Sequence, residues 1–147
     1  MERADFYLLE GGDSRERWKF ACREIEKAFL AEQFVLVWFD NAADLAAFDD
    51  LLWTFADSSF VPHEPLGPES DWEATPVLLS ACKAPAAAPH VIVNLASGVP
   101  PGAQSAARVV EIIDADPGRR QAGRLRFKQY RELGIEPVTH KPGAAET

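Results

Sequence analysis

FVLVWF, residues 34–39, is six apolar side chains in a row with no polar alternation. A half-exposed strand alternates apolar and polar residues. A strand without alternation is covered on both faces, as in a parallel sheet flanked by helices. Working outward, Asn41 is a helix N-cap, and Leu45, Phe48 and Leu52 recur at helical spacing up to Trp53. Upstream, DFYLL at 5–9 reads as a buried first strand ending at Gly11-Gly12. Asp13 with Glu16 then forms a capping-box pattern, and Trp18, Cys22, Ile25 and Phe29 make an apolar stripe. Strand, helix, strand, helix at this spacing is a βαβ unit.

Three further apolar runs, PVLLS at 76–80, HVIVNL at 90–95 and VVEIID at 109–114, extend the sheet. A short helix is expected over 102–108. The expected fold class is α/β: three layers, α/β/α, around a mainly parallel sheet of about five strands. It is Rossmann-like but has no nucleotide-binding loop. Residues 1–137 are expected to form one domain, and 138–147 a flexible tail. Residues 58–72 contain Pro62, Pro65 and Pro68 and read as a loop and candidate recognition surface. KAPAAAP at 83–89 is a low-complexity connector.

The last predicted helix is PGRRQAGRLRFKQYRELG, residues 117–134. Asp116 suits the N-cap, Pro117 the first helical position and Gly134 the stop. At about 100° per residue, Arg120, Arg124, Lys128 and Arg131 fall in one stripe roughly 80° wide, with Phe127 at its margin. Ala122, Arg126, Tyr130 and Leu133 lie on the side where a core belongs. Between Pro117 and Lys141 there are seven Lys/Arg and two Asp/Glu; the remainder holds eight basic and twenty-one acidic residues. A basic ridge on an otherwise acidic chain suits an acidic peptide or a phosphate backbone.

The net charge of −8 argues against a general nucleic-acid coat. Cys22 and Cys82 make no metal spacing and no disulfide framework. Cys22 falls on an apolar stripe and reads as a buried free thiol, which fits a reducing, cytoplasmic compartment. MERADFYLLE is too charged, and its apolar run too short, for a signal peptide or a membrane span. Gly11-Gly12-Asp13-Ser14 lacks the spaced glycines of a dinucleotide site, and Asp13 at a helix start disfavours phosphate. Asp40 at a strand end is a lone acid. His63, His90 and His140 have no metal-like partners and read as surface or turn residues. Neither a catalytic residue, a cofactor nor a metal site is expected.

Two motifs carry a resemblance. One is LLWTFADSSFVPHEPLG at 51–67, in which a Leu-Trp pair precedes Ser-Phe-Val-Pro-His. The other is Arg124-x-Arg126-Phe127-Lys128-x-Tyr130-Arg131-x-x-Gly134. With FYLLE at 6–10 and the helix around Ala21-Cys22-Arg23-Glu24-Ile25, they resemble the chi subunit of bacterial DNA polymerase III holoenzyme over nearly the whole chain. The resemblance implies a non-enzymatic accessory protein with a nucleotide-binding-like fold. It implies pairing with the psi subunit, which tethers chi to the clamp loader. It also implies a separate surface for the acidic C-terminal tail of the single-stranded DNA-binding protein, which ends in Phe. Contact with DNA would run mainly through these partners, with no membrane.

Carried over by motif, Trp53 and Phe60 would help form the tail site. Arg124, Lys128 and Arg131 would be its basic side, with Phe127 beside them. Such a tail needs an apolar slot, a cation for its carboxylate and a positive track for its aspartates. Arg124 is the first choice for the carboxylate, since Arg binds it bidentately. A short peptide of this kind is expected to bind in the micromolar range, roughly −7 to −8 kcal/mol. The acidic turn Asp114-Ala115-Asp116 before the helix is expected to narrow the pocket or repel the tail. The competing readings are a small α/β nucleotide-binding enzyme and a direct nucleic-acid-binding module.

Overall fold

A computed structural model describes residues 2–57 and 60–142. Seven strands form one all-parallel sheet: β1 (Arg3–Leu8), β2 (Val35–Trp38), β3 (His63–Pro65), β4 (Val77–Ser80), β5 (Val91–Asn94), β6 (Arg108–Ile113) and β7 (Val138–His140). Their spatial order is β3-β4-β2-β5-β6-β1-β7. Helices α1 (Ser14–Leu30), α2 (Ala42–Thr54) and α3 (Pro117–Glu132) complete the α/β/α layers, and a single 3-10 turn, Ala103–Ser105, precedes β6.

The alternation in β2 shows how the layers arise. Val35 and Val37 belong to the core under α1 and α2, with Cys22, Ile25, Phe48 and Leu52. Leu36 belongs to the opposite core, with Ile92, Ile113, Trp72 and Tyr130 of α3. Both faces are dry, which is why FVLVWF carries no polar alternation. The expected caps form: Asn41 Oδ1 accepts from Asp44 N at 2.8 Å, and Asp116 Oδ2 accepts from Arg119 N at 2.9 Å.

The sheet is wider than the sequence suggests. Residues 63–65, read as loop, form β3, and the prolines do not prevent it. β3 is an edge strand, so the N–H that Pro65 lacks is not needed by a second neighbour. His63, read as a surface residue, is buried there, with Nε2 at 2.7 Å from Asp49 Oδ1. Residues 138–140, assigned to a flexible tail, instead form β7, pairing with β1 from Asp5↔Val138 to Tyr7↔His140. The rest of the assigned tail from residue 143 lies outside the described residues. Leu133, assigned to the core side, is exposed.

Cys22 is buried, and burial pushes its thiol up to about 12. Cys82 is exposed. Iodoacetamide at neutral pH is therefore expected to label Cys82 alone in the native protein, with Cys22 reacting only after denaturation. Mass spectrometry of the two peptides checks this; comparable native labelling would contradict the buried assignment.

Two buried carboxylates set the acid response. Burial acts to raise Asp5, but hydrogen bonds from Arg108, His140 and Arg3 outweigh it and hold the group below its ordinary 3.8. Burial likewise opposes ionisation of Asp114, and hydrogen bonds from Arg119 and the Asp116 N–H hold it low. A depressed folded-state value means stability that is present above the ordinary carboxylate range and lost as pH falls through the folded value. Urea midpoints are expected to fall steeply below about pH 4. The fall should be shallower in Asp114→Asn, and an unchanged slope in that variant would remove Asp114 as a contributor.

Candidate functional site

A buried polar network fixes α3 on the sheet. Glu111, fully buried on β6, accepts from Tyr130 Oη at 2.7 Å, Asn94 Nδ2 at 2.9 Å and Arg126 Nε at 3.1 Å. Arg126 also donates through Nη1 to Ser97 O at 2.7 Å. Burial pushes the Glu111 carboxyl up, against the pull of Arg126 and the hydrogen bonds. Gly123 lets the helix approach closely, since an added Cβ there would lie 2.8 Å from Ile113 Cδ1. The network and the close approach together set the rotation of α3, and so which side chains it presents outward.

Beside α3, where the helix leaves part of β1 and β6 uncovered, lies an open cavity of about 500 Å³. Phe6, Leu8 and Ile113 give it an apolar floor, and Gly123 and Phe127 form its helical wall. Phe127 is held edge-on to Phe6 at 5.1 Å between centroids. Arg120 and Arg124 from α3 and Lys141 after β7 also line it, with Glu10 as the acidic residue of the lining. An apolar slot bordered by three cations can take a hydrophobic side chain that carries an adjacent negative charge.

The basic residues of this region divide into paired and unpaired. Arg119 is bidentate on Asp114 at 2.7 and 2.8 Å, and Arg126 belongs to Glu111. Arg131 pairs with Glu136 at 2.8 Å while its guanidinium lies 4.8 Å from the Phe127 ring centre. Arg120, Arg124, Lys128 and Lys141 have no carboxylate partner among the described residues. The acidic turn is spent internally: Asp114 holds Arg119, and Asp116 caps the helix. Neither lines the cavity.

Of the six residues singled out from the sequence, Arg124 and Phe127 line the cavity and Arg131 touches Phe127. Lys128 is exposed on the same helix but is not part of the lining. Trp53 and Phe60 stand apart from these four. Their rings pack on each other at 5.4 Å, and Trp53 lies 4.0 Å from the His63 ring, beside edge strand β3. α2 covers the opposite face of the sheet from α3. Four strand spacings separate β3 from β6, where α3 packs, which is roughly 19 Å at ~4.8 Å each. Arg120 and Lys141 line the cavity beside Arg124 and Phe127. Arg120 belongs to the basic stripe of α3, whereas Lys141 follows β7, a segment without an apolar run that reads as tail.

At the carboxyl ends of the central strands, where related folds hold phosphate, this chain places acids. Asp40 accepts from Ser97 N and Oγ at 3.0 Å, and Asp13 and Asp116 cap their helices. Like charges meet an incoming phosphate there.

Residues 1–138 match the family model described as DNA polymerase III chi subunit, HolC. The chain belongs to the DNA polymerase III chi subunit family. It is 33% identical over 141 residues to the DNA polymerase III subunit chi of Pseudomonas aeruginosa, covering 96% of this chain and 97% of that protein. Membership places the chain among accessory subunits of the replicative polymerase and agrees with the resemblance carried by its two motifs. No helix among the described residues is long and apolar enough to cross a membrane.

Proposed function

We propose that this chi-family chain is a non-catalytic, cytoplasmic adaptor whose α3 cavity binds the acidic C-terminal tail of the single-stranded DNA-binding protein. Through the psi subunit it links that tail to the clamp loader. The observation that carries this reading is a set of three cations, Arg120, Arg124 and Lys141, none with a carboxylate partner among the described residues, around an apolar slot in a protein of net −8; Arg120 donates through Nε to the Asp114 carbonyl at 3.1 Å. The terminal Phe ring enters the slot against Phe6 and Phe127, and Arg124 takes its carboxylate. Lys128 extends the positive field along the helix for the tail's aspartates, and Arg131, held by Glu136, backs the Phe127 ring beside the slot.

The geometry divides the expected site in two. Trp53 and Phe60 are 42% and 69% exposed, large for aromatic rings, but Asp49, Asp50 and Asp57 surround them in sequence. An acidic tail gains nothing there. An apolar segment of a folded partner does, and psi is the partner that the family reading leaves unplaced.

The test is fluorescence anisotropy with a labelled peptide ending Asp-Asp-Ile-Pro-Phe, against the same peptide without its final Phe. Saturable binding is expected for the first alone, and it is expected to weaken with salt. Trp53→Ala is expected to leave that binding intact while weakening psi capture. Absence of binding to either peptide at low salt would end the tail-binding reading.

A further inference from the structure

The cavity is not made by α3 and β1 alone. A further wall comes from β7, which contributes Thr139, and from Lys141 just past it. Side chains of a strand alternate, so His140 points to the other face. There its ring stacks on Tyr7 at 4.7 Å, and its Nε2 lies 2.8 Å from Asp5 Oδ1. Asp5 is fully buried and is also held by Arg3 and Arg108, so it is a fixed point. The β1–β7 ladder is only three residues long. A slip of one residue would turn Thr139 and Lys141 away from the cavity and His140 into it. The contact of His140 with Asp5 and Tyr7 is one that such a slip would break.

Lys141 is exposed, and it has no carboxylate partner among the described residues in a chain with 23 acidic against 15 basic side chains. It stands on a different element from Arg120 and Arg124, so the cavity presents cations from two walls. We propose that Lys141 is a ligand-binding residue that brackets the negative charge of an acidic, Phe-terminated peptide from the β7 side, and that His140 is its positioning residue. This rests on the tail-binding reading above.

The experiment titrates the full chain with the labelled peptide at low and high salt, comparing wild type with Lys141→Gln, Arg124→Gln, His140→Ala and the Lys141→Gln/His140→Ala double variant. Lys141→Gln removes an exposed group with no carboxylate partner among the described residues and is expected to leave the fold intact. It should weaken binding about 5- to 20-fold at low salt and less at high salt. His140→Ala should weaken binding similarly, and should add no further loss in the Lys141→Gln background. A merely structural role for His140 would instead give losses that multiply, overturning its positioning role. If Lys141→Gln binds as wild type while Arg124→Gln does not, the Lys141 assignment fails and the cavity reading survives. If wild type itself does not bind, both fail.

Discussion

Replacing Arg126 by Met is expected to cost about 3–5 kcal/mol of stability, read from urea denaturation, or about 10 °C in midpoint temperature. Arg126 is 3% exposed and Glu111 is fully buried. Removing the guanidinium leaves the carboxyl with only Asn94 Nδ2 and Tyr130 Oη, in a place where an unpaired charge is costly. It also frees the Ser97 carbonyl that Arg126 satisfies. Proton uptake by Glu111 limits the loss, so the destabilisation should be largest at high pH. A Glu111→Leu/Arg126→Met double variant is expected to recover much of the stability, since a well-packed apolar pair often replaces a buried ion pair without loss. A cost below about 1 kcal/mol for Arg126→Met would show that the pair does not anchor α3.

Arg124→Glu is expected to have the largest effect on peptide binding, a fall of about 100-fold or more at low salt, roughly 3 kcal/mol. Two effects add: the carboxylate loses its cation, and a like charge takes its place at the slot. The fold should be unaffected, because Arg124 is exposed and makes no ion pair among the described residues. Lys128→Glu is expected to cost only about 3- to 5-fold, as a screened effect at a distance from the cavity. Periodicity alone ranks these two residues as equals on one stripe. Equal losses from both variants, measured by anisotropy at the same salt, would place the carboxylate outside the cavity.

The competing readings weaken for a physical reason. A nucleotide site needs uncompensated N–H groups at the strand ends, and Asp13, Asp40 and Asp116 already accept those hydrogen bonds. Direct binding to nucleic acid needs an extended positive track. Three of the seven cations between residues 117 and 141 are committed to Asp114, Glu111 and Glu136.

The parallel, doubly covered sheet, the caps, the burial of Cys22 and the basic face of α3 are all legible in the residues alone. Each of these is a local matter of apolar periodicity or of a cap residue beside its own helix. Which strands lie at the edges, and thus that 63–65 and 138–140 pair at all, depends on contacts between distant parts of the chain. HEP and VTH carry no apolar run because their faces are only partly covered: of the six residues His63 alone is buried. Tertiary structure also separated Trp53 and Phe60 from the ridge, since the motif that joins them in sequence says nothing of sheet faces. Finally, it sorted the cations. Arg119, Arg126 and Arg131 find carboxylates brought from elsewhere in the fold or the following loop. Arg124 and Lys141, without a carboxylate partner among the described residues, meet at one cavity because strand order places β7 next to β1.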